Sequence, residues 1–251
     1  MPHPLTRATA NPKSGRLDGP YDAMHRLVLT NKWVLVRTAL QLAITLHNGQ
    51  MRRSGEPYIH HPLRVALKLW AIGIREEYIL AAALLHDVLE DCADKFDKKT
   101  TSQFCALDTR LQTIVQLLTK NQTANNGRYF ERICINGEAS LIKLADRADN
   151  LATMNGAFTQ KRAQKYVEET RRYIMPLARK RLTESGDFSS AFEALHHEIQ
   201  FLNRKAEKDF NPGNRNIRPT ICNVPIKGKL VMAKSPWQNS GRALASRDHL
   251  I

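Results

Sequence analysis

EEYILAAALLHDVLED, residues 76–91, decides the class of fold. Two glutamates open it, where a helix N-terminus favours negative charge. The middle is an unbroken apolar run rich in Ala and Leu, too long for an ordinary strand and without strand alternation, so it reads as a buried helix. Four ionisable groups, His86, Asp87, Glu90 and Asp91, then close an otherwise apolar segment. In a continuous helix the i,i+4 spacing pairs His86 with Glu90 and Asp87 with Asp91 on one face. Burying those groups without partners is costly, so either a bound cation or a solvated helix end is expected there.

The neighbouring segments have the same period. WVLVRTALQLAITLH (33–47) predicts a helix closed by Asn48-Gly49, a C-cap signal. PLRVALKLWAIG begins at Pro62, which suits a first helical turn, and stops at Gly73. Residues 102–118 predict one helix with Leu107, Leu111, Ile114, Val115 and Leu118 on a stripe. EASLIKLADRADNLATM (138–154) follows the turn signal Asn136-Gly137. Residues 159–182 predict a long basic helix bent near Pro176, and 188–205 a last one. No alternating pattern with hairpin turns appears, so the class is all-α.

Composition bounds the rest. Hydrophobic residues make up 42% of 251, enough for a core, and aromatics only 7%. The formal charge of +14 admits nucleic acid, an anionic surface or a polyanionic substrate as partner. Its location narrows this: residues 204–251 hold ten Lys/Arg against three Asp/Glu, and residues 21–203 only about +5. The expected organisation is a flexible arm over 1–20, a folded domain over 21–208 and a basic, disordered tail over 209–251. Cys92, Cys105, Cys134 and Cys222 form no CxxC pair, which suggests reduced thiols in a cytoplasmic protein. No apolar run is long enough to span a bilayer, and the N-terminus lacks the apolar stretch of a secretory signal.

Further ionisable residues accompany the 76–91 segment. YIHHP (58–62) places His61 just before a helix start, and Asp146 and Asn150 are i,i+4 on the 138–154 helix, which also carries Lys143, Arg147 and Thr153. Two His and two Asp suit a divalent metal, with imidazole favouring Zn, Mn or Fe and carboxylates favouring Mn or Mg. Singly, each of these is as compatible with a loop histidine or a solvated acidic helix end.

Four strings in one order carry a resemblance: HNGQMRRSGEPYIHHPLRVA (47–66), ILAAALLHDVLED (79–91), LIKLADRADNLATM (141–154) and KRAQKYVEET (161–170). Over residues 33–182 the chain resembles the hydrolase domain of the RelA/SpoT homologue family, which degrades the alarmone (p)ppGpp. The resemblance implies an all-α HD-domain helical bundle with a single metal site holding Mn²⁺. Its ligands would be His61, His86, Asp87 and Asp146, with His60 a bystander. Glu90 and Asp91 would act on the attacking water. Arg52, Arg53 and Ser54 would form the nucleotide-binding loop, Asn150 and Thr153 would lie near ribose and base, and Arg162 and Lys120 near phosphate. Arg53, Arg147 and Arg162 are equally compatible with solvated helix charges.

One local departure stands beside the expected ligand Asp146. The common family form is ADRLHN and this chain has ADRADN, so Ala148-Asp149 replace Leu-His at a position expected behind the metal or at the surface. YFERI (129–133) and FSSAFEALHHEIQFL (188–202) are similar to small members, and too few residues follow Lys205 for a synthetase domain. The expected activity is hydrolysis of the 3′-pyrophosphate of (p)ppGpp to GDP or GTP, with service as antitoxin to an alarmone synthetase a further role that the resemblance allows. The competing readings are an HD phosphohydrolase on (p)ppApp, NADPH or another nucleotide, and a non-catalytic protein whose tail, with Trp237 among its basic residues, binds nucleic acid or a partner.

Overall fold

The computed structural model describes residues 19–120, 125–184 and 186–210, and these form a helical bundle. In chain order the helices are α1 (Gly19–Asn31), α2 (Val34–Leu46), α3 (His60–Ala71), α4 (Glu77–Leu85), α5 (Val88–Asp91), α6 (Lys98–Cys105), α7 (Thr109–Leu118), α8 (Asn126–Cys134), α9 (Gly137–Thr153), α10 (Gln160–Glu169), α11 (Met175–Thr183) and α12 (Ser189–Phe210). Among the described residues no strand forms; the one β-like feature is an isolated bridge between Met51 and Pro57. The expected arm and tail fall outside the described residues apart from Gly19-Pro20 in α1 and Asp209-Phe210 in α12, as does Cys222. Cys92, Cys105 and Cys134 are free thiols. No helix among the described residues is long and apolar enough to cross a membrane.

Helix α4 is the centre of the bundle. Ile79 to Leu85 are all 0% exposed, because the segment is apolar on every side. Burying each Leu or Ile there contributes about 1.5–3 kcal/mol. It lies among α2, α3, α7 and α9, and its Glu77 carboxylate accepts the backbone N–H of Leu35 at 3.0 Å, satisfying one open donor at the start of α2. α9 is the second organising helix, set against α3, α8 and α12. Its N-terminus is capped by Asn136, whose side chain accepts from Ala139 N–H at 2.7 Å.

Four elements depart from the sequence reading. The helix expected over 76–91 breaks at His86-Asp87 and resumes as α5. The segment predicted over 102–118 divides at Ala106–Asp108, because Asp108 caps a new helix by accepting from Arg110 and Leu111 N–H; the apolar stripe stays buried across the break. The long helix over 159–182 loosens at Thr170–Ile174, where a π-turn separates α10 from α11. Pro176 has no N–H to return to the preceding turn, and the wider turn just upstream takes up that mismatch. The last helix runs to Phe210, whose carbonyl accepts from Gln160 and Gln164 on α10. Helices α1 and α8 are additional to the segments marked in the sequence.

Candidate metal centre and nucleotide pocket

Three elements bring the ionisable residues together. At the end of α4, the His86 ring donates Nδ1–H to the Ala83 carbonyl at 2.8 Å, occupying a carbonyl that the ending helix leaves open. Asp87 follows in the sparsely populated bridge between helix and strand geometry, at φ −100° and ψ −9°. Its carbonyl accepts from Glu90 and Asp91 N–H, which starts α5. His61 lies in the first turn of α3, and Asp146 in mid-α9.

The ligand atoms of His61, His86 and Asp146 lie within 4.8 Å of one another, and all three residues are buried. His61 Nε2 is 3.2 Å from Asp146 Oδ1 and 3.6 Å from Asp87 Oδ2, and His86 Nε2 is 3.1 Å from Asp87 Oδ1. Both rings spend their Nδ1–H elsewhere: His86 on Ala83, His61 on Asp149 Oδ2 at 2.7 Å. In the neutral rings the Nε2 lone pairs therefore converge on carboxylate oxygens. Acceptors facing acceptors in a buried site require a cation. Among the described residues the buried His86 Nε2 has no well-aligned hydrogen bond, its 3.1 Å approach to Asp87 being one acceptor facing another, and such a donor set suits a divalent metal.

Protons are the other available cations, and the local electrostatics invite them. Burial opposes a charged His61, but hydrogen bonds to Asp146 and Asp149, and the charges of Asp146 and Asp87, outweigh it and raise its pKa to about 9. Burial likewise opposes charge on Asp146, yet Lys143 and the two histidines hold it well below the usual carboxylate range. Burial pushes the Glu90 carboxyl upward, as do Asp87 and Asp91, against the Lys120 backbone N–H, which donates to Glu90 at 3.0 Å, and the charge of Lys143. Asp91 is raised by the same burial, against its hydrogen bond from Tyr58. The Tyr58 hydroxyl lies within hydrogen-bond distance of both Asp87 and Asp91.

The loop after α2 carries the arginines. Gly55, at φ +82°, turns the chain so that Arg52 and Glu56 pair through their backbones, a conformation L side chains disfavour. Arg52 donates to Asn150 Oδ1 at 2.6 Å and, more weakly, to Asp149 at 3.4 Å. Arg53 and Ser54 are exposed. Arg162 on α10 lies over the Phe158 ring at 4.3 Å, and partial burial followed by the charges of Arg53 and Arg52 lowers its pKa. Three guanidinium groups thus share one field. Thr153 donates its hydroxyl to the Asp149 carbonyl, within its own helix. Lys120 Nζ lies 5.7 Å from the centre of the Tyr129 ring. His60 contacts Glu56, away from the imidazole pair.

Other residues here had no role in the sequence reading. Lys143 is half-buried, with its ammonium 2.8 Å from Asp146 Oδ2. Arg64 clasps Asp149 and Glu56, and Tyr58 joins two acids. Lys143 lies three residues before Asp146 and Arg64 three after His61, the spacing of shared or adjacent helix faces, whereas Tyr58 lies in the turn that precedes α3. Arg147, compatible with a solvated charge in sequence, is 2% exposed and bonded to Glu169 and Thr170.

A family model described as HD domain matches residues 39–183. The chain belongs to the HD-domain family. That family implies a divalent metal, and the imidazole–carboxylate cluster is a candidate site for one. This HD domain is 36% identical over 149 residues to the guanosine-3′,5′-bis(diphosphate) 3′-pyrophosphohydrolase of Aquifex aeolicus, covering 57% of this chain and 21% of that protein. It is 33% identical over 218 residues to the Vibrio cholerae enzyme of the same name, covering 82% and 30%. It is 31% identical over 222 residues to the bifunctional (p)ppGpp synthase/hydrolase SpoT of Escherichia coli, again 82% and 30%. The chain spans less than a third of the length of these curated relatives. A solved metazoan ortholog of SpoT has the same fold, with a TM-score of 0.55 and 24% identity over 68% of this chain and 95% of that one.

Proposed function

We propose that the chain hydrolyses the 3′-pyrophosphate of (p)ppGpp, releasing pyrophosphate and leaving GDP or GTP, with Mn²⁺ as its metal. The observation that carries this reading is the buried His86 Nε2, which faces Asp87 at 3.1 Å without a well-aligned hydrogen bond among the described residues, close to His61 and Asp146 and within the same small domain as the Arg52, Arg53 and Arg162 guanidinium groups. His61, His86, Asp87 and Asp146 would hold the ion; a mixed imidazole and carboxylate set suits Mn²⁺. When bound, the ion supplies positive charge that polarises a phosphoryl oxygen and makes water more acidic.

The remaining steps belong to the side chains. Arg52, Arg53 and Arg162 bind the pyrophosphate, whose paired oxygens match guanidinium forks, and Ser54 and Lys120 add donors at its edge. Asn150 and Thr153 lie where ribose and base would rest. Glu90, shifted upward and fixed by the Lys120 N–H, accepts the proton of the attacking water. Asp91, held by Tyr58, orients that water. The water oxygen bonds to phosphorus as the P–O3′ bond breaks; the 3′ oxygen takes up a proton, balancing the one passed to Glu90, and becomes the 3′-hydroxyl of GDP or GTP while pyrophosphate leaves. Three free thiols and the lack of a membrane-crossing helix among the described residues support a cytoplasmic place. Service as antitoxin to an alarmone synthetase is consistent with the same activity.

The test is to incubate the purified chain and Mn²⁺ with ppGpp, ppApp and NADPH and to separate the products. Pyrophosphate from ppGpp, lost in Asp87→Ala, is the expected result. Turnover of ppApp or NADPH alone would move the substrate assignment, and turnover of none would overturn the enzymatic reading.

A further inference from the structure

Asp149 stands where the common form of the resembled family carries His, yet in this chain it is one of the most connected side chains of the site. It is 4% exposed. Its Oδ2 accepts from His61 Nδ1 at 2.7 Å, Arg64 Nη2 at 3.2 Å and Arg52 Nη1 at 3.4 Å, and its Oδ1 accepts from Arg64 Nε at 2.8 Å. It lies three residues beyond Asp146, so one face of α9 supplies both a direct metal-facing carboxylate and the carboxylate behind an imidazole. Arg64 neutralises much of its charge and is braced in turn by Glu56. Asn150 completes a circuit: it donates to Asp146 and accepts from Arg52. His61, Asp149, Arg52, Asn150 and Asp146 are thus joined in one chain of contacts running from one metal-facing group to the other through the loop arginine.

We propose that Asp149 is a positioning residue that fixes His61 in its metal-binding tautomer and orientation and, with the same oxygen, anchors the nucleotide-loop Arg52. The inference rests on the metal-site reading above. A carboxylate accepting Nδ1–H leaves the Nε2 lone pair aimed inward and makes the imidazole a stronger donor. Because Oδ2 also meets Arg52, the imidazole and the loop share one anchor. Loss of Asp149 therefore frees His61 and leaves Arg52 held by Asn150 alone.

The experiment titrates Mn²⁺ into the full-length chain by calorimetry, without nucleotide, for the parent, Asp149→Asn and Asp149→Ala, with folding checked by circular dichroism. Asp149→Ala is expected to weaken Mn²⁺ binding about 10–100-fold, the usual effect of removing such a partner. Asp149→Asn keeps an acceptor oxygen for His61 and loses the charge, so its affinity falls between the two. At saturating Mn²⁺ both variants raise KM for ppGpp, because Arg52 has lost one of its two contacts and keeps only that to Asn150. Mn²⁺ affinity within about two-fold of the parent in folded Asp149→Ala would overturn the proposal, since a purely structural residue moves stability and not metal affinity. Should that variant not fold, Asp149→Asn carries the same test. Because the titration contains no nucleotide, weakened Mn²⁺ binding in a chain that leaves ppGpp intact refutes the substrate assignment and supports the positioning role.

Discussion

Replacing Arg147 by Met tests whether the site-bearing helix is locked to its neighbour by a buried ion pair. Arg147 projects from α9 beside Asp146 and is 2% exposed. It donates to Thr170 Oγ1 at 2.9 Å, to the Tyr166 carbonyl at 3.3 Å and to the Glu169 carboxylate, and its guanidinium lies 3.8 Å from the centre of the Tyr166 ring. All three partners lie in α10 and the π-turn. Met retains much of the volume, so the loss is mainly electrostatic. Removing one partner of a buried pair costs about 3–5 kcal/mol, because the other charge stays behind. Glu169 is one-fifth exposed and can turn partly to water, so the low end, about 3 kcal/mol, is expected. At roughly 2–4 °C per kcal/mol for a domain of this size, Tm falls by about 6–12 °C.

The assay is thermal unfolding by circular dichroism of Arg147→Met, Glu169→Gln and the double variant. The double variant should recover part of the loss, since no unpaired charge remains. The pH dependence has a definite sign. Burial raises the Glu169 carboxyl, but the charge and hydrogen bond of Arg147 outweigh it and hold it low. A depressed carboxyl stabilises the fold above its unfolded value of about 4.3 and loses that contribution as pH falls through its folded value. The gap between parent and Arg147→Met should therefore be widest at neutral pH and narrow below about pH 4. A Tm change under about 2 °C, or losses that simply add in the double variant, would refute the lock.

Three further outcomes are expected. Leu84→Ala, at a 0% exposed position of α4, should cost about 2–5 kcal/mol, read from the urea midpoint. Glu90→Gln should lower kcat for ppGpp by about 10²–10⁴-fold with little change in Mn²⁺ affinity, if Glu90 takes the water's proton; an unchanged kcat removes it from that role. Mn²⁺ at 100 times its Kd should stabilise the chelator-treated protein by about 2.7 kcal/mol. Differential scanning fluorimetry with and without EDTA measures this as a Tm rise of roughly 5–11 °C.

The helical class was legible because it is written in local chemistry. Ile79–Leu85 is apolar on all sides, and such a helix has to be central; Asn136 starts α9 as its N-cap and Asn48-Gly49 follows the end of α2, side-chain and backbone preferences that neighbours alone specify. The residues proposed for the metal centre, His61, His86, Asp87 and Asp146, were nameable from motif strings. Their convergence was not, since His61 and Asp146 are far apart in sequence and meet only because α3 and α9 both pack near the end of α4. Tertiary structure also decided the break at His86-Asp87, where a ring nitrogen takes up a helix-end carbonyl. It placed Arg147, which in sequence is indistinguishable from a solvated charge, inside the bundle. And it placed Asp149 behind His61 and against Arg64 and Arg52. A charged residue's role depends on what faces it across the fold, and the sequence records only which residues precede and follow it.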